Sequence, residues 1–217
     1  SINISLDTLQ AKRFQEITFR NYFDQVHQNI LKLIREGFNV KINAVLMKGI
    51  NDDEIIDFIK LTKTHPLTVR FIEFMPFDGN QWNKSKIVSY EQVMKTVMSC
   101  YDVDKVIRVK DAPNDTSKNY KIKNYQGSFA IISSVTNPFC DSCNRIRLTA
   151  NGKLKNCLFS NNETDLLTPM RAGKLIEPMI KKAIQSKFKV RGGMDTMAKL
   201  EQPDLHQNNR SMITIGG

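Results

Sequence analysis

Residues 40–75 read VKINAVLMKGINDDEIIDFIKLTKTHPLTVRFIEFM. Val40 to Leu46 reads as a strand. Asn51 is placed to cap a helix, with Glu54 three residues on as the box partner. Ile55, Ile56, Phe58, Ile59 and Leu61 then recur at helical spacing until Pro66 stops the pattern, and Thr68 to Met75 reads as a second strand. Working outward, Ile2 to Leu6 is a short strand. Tyr22, Phe23, Val26, Ile30, Leu33 and Ile34 share a helical face, and Gly37 suits the left-handed residue that ends such a helix. Strand, helix, strand, helix, strand predicts successive βα units on a parallel sheet, an α/β fold. In such folds ligands gather at the carboxyl ends of the strands. Lys41 and Asn43 share one face of their strand, while Val40, Ile42, Ala44 and Leu46 share the other. In a closed or curved sheet the polar pair points into a ligand cavity; in an open one it is a solvated face.

The polar stretch DGNQWNKSK (78–86) marks a change of rhythm and divides a first part, residues 1–77, from a second, residues 78–217. The second part reads as a smaller α+β region. A helix is expected from about Tyr90 to Ser99, with short strands near Val103–Val109 and Ser128–Val135. The loop DAPNDTSK (111–118) between them has strong turn chemistry. A further helix is expected from about Lys174 to Lys187, and the tail from Arg191 reads as polar and mobile.

The 217 residues suffice to bury a core, and 41% hydrophobic with 25% charged is the composition of a globular domain. No apolar run is long enough to span a bilayer. Ser1 to Ser5 reads as folded sequence without a signal-peptide pattern, so the chain is expected to begin inside a fold. The net charge of +10 favours anionic partners such as phosphates or nucleotides. The basic residues are scattered rather than stacked, which weighs against nucleic acid. Four cysteines in a chain of this length do not form a disulfide framework, and they suit a reducing compartment.

Three of them, Cys140, Cys143 and Cys157, lie in FCDSCNRIRLTANGKLKNCLF (139–159), spaced C-x2-C-x13-C. A zinc ribbon closes its tetrahedron with four ligands, and Cys100 or His206 is the available fourth. Three thiolates equally suit an iron–sulfur cluster with one iron left open for water or substrate. Three unligated core cysteines are the plainest alternative. Asn151-Gly152 is a strong hairpin signal, so Arg145–Ala150 should pair with Lys153–Asn156. Arg145 and Arg147 then share a face of one strand beside Cys143, suited to a phosphate or carboxylate; otherwise they are solvated. A strict two-residue hairpin sets Cys157 opposite Ile146, on the other face from the arginines, unless a bulge shifts the register or Cys157 lies past the paired region.

PFCDSCNRIRLTANGKLKNCLF (138–159) resembles the C-terminal cluster motif of the molybdenum cofactor biosynthesis protein A family, radical SAM enzymes with GTP 3′,8-cyclase activity. SINISLD (1–7), VKINAVLMKGIND (40–52), RFIEFMPFDGNQWN (70–83), MRAG (170–173) and the terminal Gly216-Gly217 look like that family in the same order. The resemblance implies an incomplete triose-isomerase-type barrel closed by a C-terminal extension. It also implies two [4Fe–4S] clusters. One, on an N-terminal C-x3-C-x2-C loop, binds and cleaves S-adenosylmethionine; the other holds the purine of GTP through an open iron. The product, 3′,8-cyclo-7,8-dihydro-GTP, passes to a partner cyclic pyranopterin monophosphate synthase. Carried over, Cys140, Cys143 and Cys157 are expected to hold the substrate-side cluster. Arg145 and Arg147 are expected to contact GTP, and Lys41 its phosphates. Ser5 and Met75 are expected to contact S-adenosylmethionine, and Gly216 and Gly217 to form a tail entering the active site. This sequence departs from the family in having no C-x3-C-x2-C motif. It is therefore expected to be the C-terminal two thirds, with no radical-generating residues and no activity alone. The wording FMPFDGNQWN leans toward the eukaryotic, mitochondrial-matrix branch; a bacterial member would be cytoplasmic. The resemblance leaves room for a homodimer. The alternative from another class is a zinc-ribbon module binding RNA or DNA. A single Trp, no aromatics among the basic residues and no second CxxC knuckle disfavour it.

Overall fold

β1 (Ile2–Ser5), β2 (Val40–Leu46) and β3 (Thr68–Glu73) run parallel, with Ile4 paired to Ile42 and Ala44 to Phe71. The computed structural model describes residues 1–205 and 208–212. Helices α1 (Ala11–Thr18) and α2 (Phe23–Arg35) connect β1 to β2, and α3 (Ile55–Thr64) connects β2 to β3. The α2 helix ends as expected at Gly37, whose φ of 76° allows the amides of Gly37 and Phe38 to close back on Ile34 and Leu33.

The segment after residue 78 supplies further strands to the same sheet. After α4 (Tyr90–Cys100) come β4 (Val106–Arg108), β5 (Lys118–Ile122) and β6 (Ser128–Ile132). Among the described residues the sheet order is β1-β2-β3-β6-β5-β4, with β6 parallel to β3 and with β5 and β4 antiparallel. Contacts divide the chain into two compact units. The first holds Ser1–Phe74 and Ser85–Asn137; the second holds Met75–Lys84 and the chain from Pro138 onward.

In the first unit, alternation buries Val40, Ile42, Ala44, Leu46, Val69, Phe71, Phe129 and Ile131 on one face of the sheet. Ile55, Phe58 and Ile59 of α3 and Val93 and Val97 of α4 pack into the same core. The Phe58 and Phe71 rings meet edge to face with centroids 6.2 Å apart. Each such buried side chain contributes about 1.5–3 kcal/mol through burial. A reciprocal capping box forms on α4, between Ser89 and Gln92. The box expected from Asn51 and Glu54 does not form. Asn51 instead accepts the Met47 amide (2.7 Å) and donates to the carbonyls of Asp7 (2.7 Å) and Val45 (2.9 Å). It ties the loop after β1 to the end of β2.

In the second unit, β7 (Arg147–Leu148), β8 (Lys153–Lys155) and β9 (Thr164–Asp165) form an antiparallel sheet. Helices α5 (Leu167–Arg171) and α6 (Glu177–Gln185) follow, and Leu154, Leu166 and Ala183 form an apolar cluster with Ile176, Met179 and Ile180. The expected mobile tail is corrected over its described part. Arg191, Met194, Leu200 and Asn209 are buried, and α7 (Met197–Leu200) is capped by Thr196.

Candidate functional site

The cysteine segment is built from two turns. Cys140–Ser142 forms one 3₁₀ turn, closed by the Cys143 amide on the Cys140 carbonyl (3.1 Å). The hairpin that follows has three loop residues rather than two. Thr149 N–H reaches Lys153 O (2.9 Å), and Gly152 takes φ 74°. This is the three-residue hairpin with a glycine in the left-handed region. A β-carbon at Gly152 would also stand 2.4 Å from the Leu167 Cβ. Arg147 consequently pairs with Lys155 and Leu148 with Leu154, one residue out of the strict two-residue register. Cys157 lies past β8, where the Ser160 amide closes a turn on its carbonyl (3.1 Å). Both routes by which Cys157 could leave the face opposite the arginines are therefore taken. Arg147 is half-buried and Arg145 exposed.

Two of the three sulfurs accept an N–H hydrogen bond: the Arg191 amide donates to Cys140 Sγ (3.4 Å) and Lys187 Nζ to Cys143 Sγ (3.4 Å). Burial pushes the Cys157 thiol up from its ordinary value, and Cys140 and Cys143 are close enough to add to the effect; the Phe159 amide and Lys187 oppose it. The Arg191 amide is brought in by a tight turn in which Arg191, Gly192 and Gly193 all have positive φ. Gly192 is required there, because a β-carbon would stand 2.8 Å from the Ser160 amide nitrogen. Among the described residues no three Cys, His, Asp or Glu side chains converge closely enough for one metal ion. Cys100 ends α4 in the other unit and is exposed. His206, Gly216 and Gly217 lie outside the described residues.

The first unit presents a second polar surface on the face of the sheet opposite its core. Asn3 pairs with Lys41 and Lys41 with Thr68; Ser5 pairs with Asn43 and Asn43 with Arg70. Arg70 was not singled out from the sequence. Its Nε donates to Asn43 Oδ1 (2.8 Å) and its Nη2 to Asn3 Oδ1 (2.5 Å). Burial lowers its pKa, and the nearby Asp115 carboxylate offsets this. The signal was available: Thr68 and Arg70 alternate with the buried Val69 and Phe71. Ser5 is exposed at the end of β1. Met75 follows β3 in the other unit, half-buried, its carbonyl accepting from Asn80 Nδ2 (2.7 Å). A cleft of about 280 Å³ in the first unit is lined by Lys48, Asp52, Gln92, Lys95 and Thr96, away from these residues.

The loop bordering Arg70 is held by Asp111. Its Oδ1 accepts from Arg108 Nη1 (2.9 Å), the Asn119 amide (3.1 Å) and Asn119 Nδ2 (2.9 Å). The Arg108 guanidinium, helped by Asn119, lowers the carboxyl from 3.8 to about 2. A depressed folded-state value means stability that is present above pH 3.8 and lost as pH falls through about 2. Asp111→Asn is accordingly expected to flatten the acid limb of stability across that window. Denaturant midpoints measured from pH 5 down to pH 2 would check it, and an unchanged acid limb would refute it.

A family model for the Radical SAM superfamily matches residues 1–62, and one for Molybdenum Cofactor Synthesis C matches residues 67–192. The mitochondrial GTP 3′,8-cyclase of Arabidopsis thaliana is 44% identical over 221 residues, covering 100% of this chain and 54% of the relative. Molybdenum cofactor biosynthesis protein 1 of Homo sapiens is 41% identical over 219 residues, covering 99% and 33%. The GTP 3′,8-cyclase of Alkaliphilus oremlandii is 35% identical over 224 residues, covering 100% and 64%. This chain thus spans from a third to under two thirds of the length of these relatives. The three cysteines, Arg145, Arg147 and Lys187 all fall within residues 67–192, and the chain belongs to the Molybdenum Cofactor Synthesis C family.

Proposed function

We propose that this chain is the GTP-holding portion of a GTP 3′,8-cyclase, the enzyme class that forms 3′,8-cyclo-7,8-dihydro-GTP for molybdenum cofactor synthesis. The observation that carries the reading is the set of three cysteines, two of them with an N–H donor on the sulfur, beside a hairpin bearing Arg145 and Arg147. Hydrogen bonds to sulfur are the setting that iron–sulfur thiolates take. Cys140 and Cys143 lie near enough to Cys157 to affect its thiol, and three cysteines brought to one region are the ligand type that a [4Fe–4S] cluster takes. Bound there, the cluster supplies an iron with an open position for a purine donor atom.

Arg145 and Arg147 hold the rest of the nucleotide, their planar forks suited to phosphate and carbonyl oxygens. Lys41 and Arg70 share the polar face of the parallel sheet and offer two cations to a triphosphate. The parallel strands are read as the later strands of a partial barrel, with Ser5 and Met75 meeting S-adenosylmethionine. A second cluster and S-adenosylmethionine cleavage are read as residing in the parts of the longer relatives that this chain does not span, with a cyclic pyranopterin monophosphate synthase as the downstream partner; the mitochondrial matrix is the proposed location, in keeping with the word mitochondrial in the Arabidopsis relative's name.

Anaerobic reconstitution of the chain with iron and sulfide tests this. One cluster per chain is expected, with broad visible absorption that GTP perturbs and ATP perturbs less. Tightly bound zinc with no iron uptake would overturn the reading in favour of a zinc module.

A further inference from the structure

The mechanism leaves one cation at the cysteine site without a role. Lys187 lies two residues past α6, half-buried, and its ammonium reaches back to the cysteine turn. Nζ donates to the Cys143 carbonyl (3.1 Å), the Arg145 carbonyl (3.1 Å) and the Cys143 sulfur (3.4 Å). An ammonium has three N–H donors, and all three are directed at this one stretch. No carboxylate is paired with it among the described residues. Ordering a lysine side chain costs up to about 2 kcal/mol in lost rotamer freedom, so such a placement needs a compensating anion or set of dipoles. Two carbonyls provide part of it. The sulfur provides the rest once it carries charge as a metal-bound thiolate.

We propose that Lys187 is a positioning residue of the substrate site, bracing the Cys143–Arg145 backbone and placing a fixed positive charge against one thiolate of the cluster. The inference rests on the reading that Cys140, Cys143 and Cys157 hold that cluster. The brace has a specific consequence, because Arg145 is the first of the two arginines offered to GTP. Its carbonyl is fixed from the side of α6, so the cysteine turn and the nucleotide-binding strand are held by the same ammonium. The charge has another. A cation beside a thiolate favours the more negative, reduced state of the metal group and raises its potential. Arg191 donates from the backbone and cannot be altered by side-chain exchange; Lys187 is the adjustable donor of the two.

Lys187→Met and Lys187→Arg variants of this chain separate the two consequences. In the metal-free chain, amide exchange across residues 140–148 is expected to be roughly tenfold faster in K187M than in the wild type. In the reconstituted chain the cluster of K187M should be harder to reduce by about tenfold, equivalent to about 59 mV for a one-electron couple. K187R should recover most of that shift. Unchanged exchange would overturn the brace, and an unshifted potential in K187M would overturn the charge. If the wild type takes up no iron, the cluster reading fails and the charge assignment fails with it, while the exchange measurement still decides the brace.

Discussion

Cys157→Ala is expected to leave the reconstituted chain with background iron and no visible chromophore, a loss of more than about 100-fold in cluster affinity. Removal of an outer-shell partner alone typically costs 10–100-fold, and loss of a ligand exceeds it. Cys157 is the informative choice among the three cysteines. It comes from the far side of the hairpin, so it reports whether the one-residue register shift and the turn at Ser160 deliver it to the site. The GTP-dependent spectral change should vanish with the chromophore. Because metal binding stabilises whatever fold presents the ligands, the wild-type chain should also unfold at a higher temperature with iron and sulfide than without, and the variant should show no such difference. Cys100→Ala is the control. Cys100 is exposed at the end of α4, and its loss should change neither iron content nor spectrum. Normal iron content in C157A with loss in C100A would reassign the ligand set.

What the sequence made legible was local periodicity. The strands at residues 40, 68 and 128 and the helices at 23, 55 and 90 stand close to where the patterns put them. The misses are places where a tertiary bond overrode a local signal. Asn51 has the position and chemistry of a cap, yet its carboxamide is spent on the loop after β1. Helix α1 buries only Phe14, too thin a stripe to be read against its polar neighbours. β5 follows a turn-rich loop directly, and its alternation of Lys and Asn with Tyr120 and Ile122 makes sense only once β6 lies beside it. After residue 78 the chain continues the sheet of the first unit, adding β6 parallel to β3 and then β5 and β4 antiparallel.

The site shows the same division. The cysteine spacing and the arginine pair were readable, because both are consecutive in sequence. The donors that complete the site were not. Lys187 and Arg191 lie about thirty residues beyond Cys157 in a stretch that reads as the end of a helix and a polar tail. Only Gly192-Gly193 hinted that the backbone there must take an unusual path. The register of Cys157 was undecidable for a simpler reason. Asn-Gly supports either a two-residue or a three-residue loop, and the choice is made by Leu167 packing on Gly152 and by the Leu166 and Leu167 amides on its carbonyl.

Glu54→Ala is expected to destabilise the first unit by about 3 kcal/mol. Glu54 is buried, and its carboxylate accepts from Thr8 Oγ1 (2.6 Å), the Leu9 amide (2.5 Å) and Arg13. Truncation removes the acceptor for a buried and a part-buried donor at once, and each charged hydrogen bond is worth about 1.5–3 kcal/mol. Arg13 is not orphaned, because Asp53 still accepts from it at 2.8 and 3.0 Å, which keeps the cost below that of a fully stranded charge. For a chain of this size the thermal midpoint should fall by roughly 6–12 °C. The effect should reach the segment after β1 as well. Thr8 and Leu9 continue the Ser5–Asp7 segment, which Asp7 fixes by accepting the Val45 amide (2.8 Å) and which Asn51 fixes from the other side. Releasing Thr8 and Leu9 frees one end of that segment, so amide exchange at residues 6–9 should rise more than the global change accounts for. Glu54→Gln retains the size and one acceptor oxygen and should fall between the two. A midpoint within 2 °C of the wild type for Glu54→Ala would mean that Asp53 alone holds the loop.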